Sequence, residues 1–408
     1  MLRRHFFLGA ATAAASLRVL GANDRIRLAM IGVGNRGRWL LKNEEFPGAS
    51  FAAFADCWLP QCEKAAQIRP SYAEAKHYQD YRRMLDSEKL DAAFVETTTH
   101  ARVLVAIHCM QAGLDVYAEK PLTLTVEEGR ALRRAAARYK RILQCGTQQR
   151  SIPINVWASK LVREGRLGRV KEVIACNFEP PKRWTPKPEM PMPEGLDWDQ
   201  WCNQTGLRPY HEELQRRWAW YWDYDNGGQS WGVSGWGTHA LDQVQCALGT
   251  DDTGPVEFSP EGEGETAPVM MRYASGTLLK CTGQKRPDHS DLGAIFVCEK
   301  GTLEIKRGTL VADPPELIHD KPEDTPEGPG ENRWHIENFL DCVRTRRRPN
   351  AHLEAAHRAT TLCHLISICR ERGKKLEWDP KAERVRNDAQ ANAMLSRPRR
   401  KGYELPRI

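Results

Sequence analysis

The hydrophobic pattern of residues 23–146 alternates short apolar runs with amphipathic stretches. The runs have few polar interruptions, which is typical of strands buried on both faces of a parallel sheet. Strands are predicted at residues 26–31, 50–55, 90–95, 114–118 and 142–145, and helices at 102–112 and 126–139. Because the two kinds of element alternate, we predict an α/β domain with a doubly wound parallel sheet, the Rossmann arrangement.

The pattern changes after residue 146. A helix is predicted at 155–164, strands at 170–177, 269–273, 276–282, 294–298 and 302–306, and helices at 238–248, 334–344 and 352–372. A Pro-rich loop at 179–194 and a polar loop at 311–332 interrupt them. Several strands in succession predict an α+β domain at residues 147–375, with an open, mainly antiparallel sheet. Residues 376–408 are interpreted as a C-terminal tail.

A glycine-rich turn directly follows the first predicted strand. Residues 26–37 read IRLAMIGVGNRG, in which Gly32, Gly34 and Gly37 have the G-x-G-x-x-G spacing. The first glycine permits a tight turn, the second lets a pyrophosphate approach the main chain, and the third lets the next helix pack on the strand. Asp56 ends the second apolar run nineteen residues later, where a carboxylate accepts ribose hydroxyls and repels a 2′-phosphate. This context favours a dinucleotide site over an ordinary glycine turn, and NAD over NADP.

Composition narrows the classes of partner. The chain has 408 residues and a formal net charge of +7, and its length suits two domains that each bury a core. Arg3, Arg4 and Arg18 lie in the first 22 residues without neighbouring acids, so removing them leaves +4. Basic clusters at 346–348 and 397–401 lack interleaved aromatic residues, so they are interpreted as solvated surface or tail, and no nucleic-acid binding is predicted.

Residues 1–22 have the pattern of a twin-arginine export signal. RRHFFL at 3–8 precedes a weakly apolar stretch that is too short to span a bilayer, and no other run in the chain is long enough. An interfacial helix is the alternative, but alanine and glycine make a poor membrane anchor. We therefore expect a periplasmic or secreted protein without a stable membrane span.

Twelve cysteines are scattered without a C-x-x-C motif or zinc-ligand spacing. Cys145, Cys246, Cys298 and Cys363 lie in apolar settings, so we interpret the cysteines as small core residues rather than disulfide partners. No metal site is predicted.

Four further tracts carry a family resemblance. AEKP at 118–121, GTQQR at 146–150, LGRV at 167–170 and GWGTHALD at 235–242 follow the glycine motif in this order. The order resembles the Gfo/Idh/MocA oxidoreductase superfamily, and more narrowly its secreted, sugar-related branch. The resemblance covers nearly the whole chain after residue 22. The predicted cofactor contacts are Gly32, Gly34, Asn35, Arg36, Gly37, Asp56, Thr97, His100, Glu119 and Lys120.

The resemblance implies two catalytic residues. Lys120 would follow a strand beside the nicotinamide and hydrogen-bond the oxygen that changes oxidation state, with a pKa lowered by partial burial. His239 would start a helix facing the nicotinamide and relay the hydroxyl proton. The chain departs from the family at Gly235, where many dehydrogenases carry an aspartate. Asp223 and Asp225 are upstream candidates for the missing carboxylate.

Tryptophan indicates the class of substrate. Eight of the thirteen tryptophans lie between Trp184 and Trp236. Indole rings pack on the C–H faces of sugars while polar side chains bind the hydroxyls, although any single tryptophan can instead pack in a core or interface. We predict a sugar-like substrate contacted by Gln148, Arg150, Arg183, Tyr210, Trp236 and His239.

Three functions stay open. The first is an NAD-dependent sugar oxidoreductase that holds its nicotinamide tightly, because free NAD is scarce outside the cytoplasm. The second is a redox-neutral glycosidase that oxidises a sugar, eliminates the glycosidic bond and returns the hydride; the glycine at 235 keeps it open. The third is a non-catalytic NAD-binding protein, against which Lys120 and His239 both argue. The resemblance also implies a homo-oligomer formed through the open sheet.

Overall fold

The computed structural model describes residues 25–286 and 290–408, so the predicted export signal lies outside it. The strands are β1 (Ile26–Ile31), β2 (Ala49–Ala55), β3 (Lys76–Tyr78), β4 (Ala92–Val95), β5 (Asp115–Ala118), β6 (Leu143–Cys145), β7 (Val170–Cys176), β8 (Glu257–Pro260), β9 (Val269–Arg272), β10 (Leu278–Gly283), β11 (Ala294–Cys298), β12 (Thr302–Ile305), β13 (Leu310–Asp313), β14 (Leu376–Asp379) and β15 (Arg384–Val385). The helices are α1 (Asn35–Asn43), α2 (Pro60–Ala66), α3 (Tyr81–Ser87), α4 (Thr99–Gln111), α5 (Val126–Tyr139), α6 (Pro153–Arg163), α7 (Trp198–Cys202), α8 (Glu212–Arg217), α9 (Trp236–Leu248), α10 (Arg333–Thr345), α11 (Leu353–Arg372) and α12 (Ala389–Ala393).

The first sheet has six parallel strands in the order β3-β2-β1-β4-β5-β6. The strand order reverses between β1 and β4, and ligands of doubly wound sheets bind at such a point beyond the carboxyl ends of the strands. Both faces are buried: α3, α4 and α5 cover one, and α1, α2 and α10 cover the other. The predicted Rossmann sheet is confirmed.

The second sheet has nine strands in the order β13-β12-β11-β7-β10-β9-β8-β14-β15. Among the described strands of this sheet, only β7 and β10 pair in parallel; the other neighbours are antiparallel. Buried and half-buried residues alternate along β11, because one face packs on α6, α9 and α11 while the other faces outward. The predicted open, mainly antiparallel sheet is confirmed.

The predicted C-terminal tail is instead folded. Residues 376–379 form β14, which pairs with β8 and extends the second sheet. The nearby basic residues are not a solvated cluster: Arg399 forms an ion pair with the buried Glu128, and Arg397 stacks on the Trp222 ring. Local sequence did not reveal these partners because they lie far away along the chain.

The predicted loop at 311–332 and the predicted boundary at residue 147 also need adjustment. The start of that loop belongs to β13, which forms an edge of the second sheet. α10, predicted within the second domain, packs through Ile336 and Phe339 on the first sheet. The two domains are therefore joined by helices that cross between them.

All twelve cysteines are free thiols, and ten of them are buried, which agrees with the prediction of small core residues. Within residues 25–286 and 290–408, no helix combines the length and apolar character needed to cross a membrane.

Candidate functional site

The glycine turn lies at the carboxyl end of β1. Gly32 has a φ of +87°, and a Cβ there would lie 2.7 Å from the backbone of Glu96 and Thr97. At Gly37 a Cβ would lie 2.6 Å from the Gly32 carbonyl oxygen. Both positions therefore require glycine for the protein's own packing.

Gly34 is different, because a Cβ there would meet nothing within 4 Å. It lines a cleft of about 740 Å³ and immediately precedes α1, whose first turn has no side-chain cap. Free amide groups at a helix start bind phosphate, and a side chain at Gly34 would obstruct its approach. The need for glycine here is explained by a ligand rather than by the fold.

Asp56 lies at the end of β2 and lines the same cleft. One carboxylate oxygen accepts the Val33 N–H at 2.9 Å and the other accepts the Trp58 N–H at 2.9 Å. These bonds fix the carboxylate, and each oxygen keeps a further lone pair for a ribose hydroxyl.

A polar chain crosses the floor of the site from α1 to the second domain. Arg36 Nε donates to Glu119 at 2.8 Å, and Gln148 Nε2 donates to the same oxygen at 3.2 Å. Burial alone would raise the pKa of Glu119, but the charges of Arg36 and Lys120 lower it. The ion pair between Arg36 and Glu119 holds the turn at Glu119–Lys120 against the glycine turn. This turn includes a cis Lys120–Pro121 peptide.

Lys120 and His239 are brought together from different domains. Lys120 Nζ donates to the Gly235 carbonyl oxygen at 3.3 Å, and Gly235 is the residue that caps the start of α9. His239 is the fourth residue of that helix, is 5% exposed, and has a buried Nδ1 without a partner among the described residues. The two predicted catalytic side chains therefore lie at one site.

Burial sets the protonation of both groups. It lowers the pKa of the Lys120 ammonium, while the charges of Glu119 and Asp225 oppose that shift. Burial and then the positive charge of Lys120 lower the pKa of His239 well below its ordinary value. The imidazole is consequently neutral at pH 7 and able to accept a proton.

Asp225 is the carboxylate that sequence reasoning held only as an alternative. It is fully buried, accepts Thr99 Oγ1 at 2.6 Å, and also accepts the Ser234 hydroxyl. No Lys or Arg of the described chain forms an ion pair with it, yet its charge acts on Lys120. Asp223, the other candidate, instead pairs with Arg208.

Glu96 was missed by the sequence prediction. It lines the cleft directly after β4, and neither carboxyl oxygen has a hydrogen-bond partner in the described part of the chain. Burial, reinforced by the charge of Glu119, raises the pKa of Glu96 well above its ordinary value. An acidic residue that directly follows a buried strand of the Rossmann sheet was the available signal.

The tryptophan-rich segment forms a cap on one side of the cleft. Trp58 Nε1 donates to the Glu194 carbonyl oxygen at 3.1 Å, and Gln79 Nε2 donates to the Gly195 carbonyl oxygen at 2.9 Å. Within the cap, Trp198, Trp201, Tyr210, Tyr221 and Tyr224 pack into a small core of their own. These rings stabilise the wall of the cofactor cleft, which is the alternative that the sequence left open for them.

Seven of the sixteen predicted site residues line the cleft, whereas the predicted catalytic residues Lys120 and His239 do not. Gly32, Gly34, Asn35, Arg36, Asp56, Thr97 and Tyr210 line the cleft, and Gly37 lies beneath it. Trp236 begins α9, and its ring packs at 4.5 Å from that of Trp231. Gln148 contacts Glu119 as described.

Three predicted contacts lie elsewhere. His100 is fully buried, and its Nε2 lies 2.8 Å from the Trp201 carbonyl oxygen inside the cap. Arg150 is held in a buried ion pair with Asp242 at 2.8 Å. Arg183 lies on the surface, 3.0 Å from Glu371. The first two are engaged in packing and the third faces solvent, so none is available to a ligand in the cleft.

The cleft fits a dinucleotide. Its volume is within the range of small-molecule sites, and it joins an open glycine, uncapped helix amides and a fixed carboxylate in the order that phosphates and ribose require. Among the described residues no group of three or more His, Cys, Asp or Glu could hold a metal ion. The molecule is therefore a two-domain dinucleotide-binding protein. Lys120 and His239 do not line its cleft; Lys120 is connected to it through the neighbouring Glu119, which accepts a hydrogen bond from the cleft residue Arg36.

The chain belongs to the Gfo/Idh/MocA oxidoreductase family. Residues 26–147 match the family's NAD-binding Rossmann fold, and residues 157–405 match its C-terminal alpha/beta domain. The predicted family and the predicted cofactor, NAD, are confirmed.

Curated relatives match mainly in one part of the chain. Scyllo-inositol 2-dehydrogenase (NAD(+)) of Bacillus subtilis is 27% identical over 147 residues, which are 36% of this chain and 42% of the relative. Inositol 2-dehydrogenase of Rhodococcus erythropolis is 29% identical over 163 residues, which are 39% of this chain and 46% of the relative. The chain thus spans less than half the length of these relatives.

Solved structures share the two-domain fold over most of this chain. The WlbA dehydrogenase of Bordetella pertussis, in complex with NADH and UDP-GlcNAcA, has a TM-score of 0.61 at 18% identity, covering 87% of this chain and 99% of its own. The aldose-aldose oxidoreductase of Caulobacter crescentus, complexed with glycerol, has a TM-score of 0.55 at 17% identity, covering 86% and 99%. At this identity the likeness concerns the fold.

Proposed function

We propose that this protein is an NAD-dependent oxidoreductase that transfers hydride between NAD and a carbon of a sugar or polyol. The observation that carries the proposal is the 3.3 Å contact between Lys120 Nζ and the Gly235 carbonyl oxygen. It brings a lysine of the Rossmann domain to the helix that bears His239. Inositol dehydrogenases among the relatives support a polyhydroxylated substrate.

The side chains at this site suit the oxidation of a secondary alcohol. When bound, NAD supplies the hydride acceptor. Lys120 donates a hydrogen bond to the substrate oxygen and stabilises negative charge that develops there. His239, neutral because of burial and the nearby ammonium, accepts the hydroxyl proton. Burial lowers the pKa of Lys120, and the charges of Glu119 and then Asp225 oppose that shift and favour the ammonium form.

The test combines cofactor identification with a substrate panel. Mass spectrometry of the denatured protein is expected to find NAD, and at least one inositol or aldose is expected to produce nicotinamide absorbance. Lys120→Met and His239→Asn should each lower the rate by roughly 10²–10⁴-fold while retaining NAD. Lys381→Met, an exposed lysine, is the matched control. Bound NAD with no reduction by any sugar, polyol or glycoside contradicts the proposal.

A redox-neutral glycosidase is the second candidate function, and one observation favours keeping it beside the first. A Cβ at Gly235 would lie 1.9 Å from the Gln229 carbonyl oxygen, so the aspartate of many dehydrogenases has no room at this position. Release of an aglycone from a glycoside without net NADH would favour this function. Net NADH formation without aglycone release would favour the dehydrogenase.

Export and assembly complete the proposal. We propose twin-arginine export because of residues 1–22, and tight retention of NAD, which the cap over the cleft supports. Signal cleavage and periplasmic fractionation test the first, and cofactor retention on dialysis tests the second. We also propose a homo-oligomer through the outward face of the second sheet; light scattering of a variant with charges placed at Ile295 and Val297 tests it.

A further inference from the structure

A second cavity, of about 390 Å³, lies apart from the cofactor cleft and shares no lining residue with it. Its walls come from the start of α5, from residues 204–208, from Trp222 and Asp223, and from the C-terminal segment 396–399. Residues 396–399, which belong to the segment that the sequence predicted to be a C-terminal tail, therefore form one wall of this cavity.

Arginine side chains from separate parts of the chain converge on this cavity. Arg208 donates to Asp223, and Arg399 donates to Glu128 at 2.6 Å. Each pairing uses only part of a guanidinium: Arg208 Nη1 and Arg399 Nη2 are buried without a partner in the described chain. A guanidinium carries five N–H donors, so each group retains donors for a further acceptor.

Arg397 adds a cation that no carboxylate pairs with directly. Its guanidinium lies 4.0 Å from the centre of the Trp222 ring and donates to the Trp222 carbonyl oxygen. Within residues 25–286 and 290–408, no Asp or Glu lies within ion-pair distance of it. Burial lowers the pKa of Arg397 to about 10, although the charges of Glu128 and Asp223 oppose that shift from a distance.

Gln204 provides an observation about this cavity that is independent of the arginines. This lining residue is only 5% exposed, and neither its amide nitrogen nor its amide oxygen has a hydrogen-bond partner among the described residues. A buried amide without partners costs roughly 1–3 kcal/mol for each unsatisfied atom. A donor and an acceptor are thus held open beside the arginines.

We propose that this cavity binds the carboxylate or phosphate group of a small organic anion. The planar guanidinium of Arg397 matches the geometry of such oxyanions, and the stacked Trp222 holds it in place. The free N–H groups of Arg208 and Arg399 and the amide of Gln204 supply the remaining contacts. A volume of about 390 Å³ accommodates a body the size of a sugar acid as well as the anionic group.

Equilibrium binding tests the proposal without turnover, so its outcome is independent of the proposed activity. Gluconate and inorganic phosphate are titrated by calorimetry at constant ionic strength, into protein saturated with NAD so that the pyrophosphate site is filled. Glucitol is the uncharged counterpart of gluconate. At least one anion is expected to bind saturably and glucitol is not. Tighter binding of gluconate identifies a carboxylate site, and tighter binding of phosphate identifies a phosphate site.

Variants locate the binding. Arg397→Gln, which leaves no carboxylate orphaned, should weaken the anion roughly tenfold or more, and Gln204→Leu should also weaken it. Lys401→Gln removes the same charge from an exposed residue outside the cavity and should bind like wild type. Circular dichroism checks that each variant is folded. If Arg397→Gln does not fold, anion binding by Gln204→Leu tests the proposal instead. Absence of saturable anion binding, or binding that both variants leave unchanged, overturns the proposal.

Discussion

Arg150 offers the sharpest test of the structure, because sequence and structure assign it different roles. The sequence predicted a substrate contact. In the structure Arg150 Nε lies 2.9 and 2.8 Å from the two carboxylate oxygens of Asp242, and the two side chains are 3% and 1% exposed. Asp251 accepts the remaining guanidinium nitrogens at 2.8 and 3.0 Å. The arginine therefore ties the loop after β6 to α9.

The expected cost of Arg150→Met follows from that burial. Removing the guanidinium leaves Asp242 as an uncompensated buried carboxylate, which costs roughly 3–5 kcal/mol of unfolding free energy. For a domain of this size each kcal/mol lowers Tm by about 2–4 °C, so Tm should fall by roughly 6–20 °C. The Michaelis constant for the sugar should change little at temperatures where the variant is folded.

Urea unfolding followed by circular dichroism measures the loss. The double variant Arg150→Met/Asp242→Leu should recover most of it, because replacing both partners removes the unpaired charge. Asp251→Asn should cost less than Arg150→Met, since this carboxylate is 30% exposed. An Arg150→Met protein with wild-type stability and a raised Michaelis constant would refute the structural role.

The remaining predictions concern charge at the site and in the C-terminal segment. Asp225→Asn should lower the rate of sugar oxidation. It should also move the limb of the pH–rate profile that reports Lys120 to lower pH, because a charge that raises the pKa of Lys120 is lost. The control Asp223→Asn, two residues away, should leave both the rate and that limb unchanged. Oxidation should persist below pH 6.5, since the pKa of His239 is lowered and its imidazole stays neutral there, and steady-state rates against pH check this. Although burial alone would raise it, His357 and neighbouring arginines lower the pKa of Glu383 from 4.5 to about 2. Stability from this shift, about 3 kcal/mol, is present above pH 4.5 and lost as pH falls toward 2, so Glu383→Gln should flatten acid unfolding over that range.

The sequence predicted the parts of the molecule that local physics determines. The strand before Gly32 and the turn itself depend on residues within a dozen positions, and Asp56 follows from the spacing of the next strand. The family resemblance pointed to Lys120 and His239, and the structure links them through Gly235 at the start of α9; their catalytic roles stay a prediction.

The sequence failed where partners are distant. Arg150 and Asp242 are 92 residues apart, and no local pattern distinguishes a buried arginine from one that faces a substrate. Arg399 reaches Glu128 across 271 residues, so a basic C-terminal stretch was taken for a tail. The tryptophan content predicted a sugar-like substrate and left core packing open for each ring; Trp198 and Trp201 pack within the cap, because aromatic content does not specify which surface it covers.

Gly235 stands where many dehydrogenases of the family carry an aspartate, and Asp225 provides a buried carboxylate nearby. Position 235 accepts no side chain, because the Gln229 carbonyl oxygen occupies the space of a Cβ, and Gly228 is similarly closed by the carboxylate of Asp225 at 2.7 Å. The tight packing of residues 225–235 therefore excludes the family's aspartate and, by the same folding, buries Asp225 against Ser234. Lys120 donates a hydrogen bond to the Gly235 carbonyl oxygen, and the charges of Glu119 and then Asp225 act to raise its pKa. An aspartate introduced at 235 would displace the loop that holds Asp225, so Gly235→Asp should lower the rate of sugar-dependent NADH formation, measured by nicotinamide absorbance, rather than raise it.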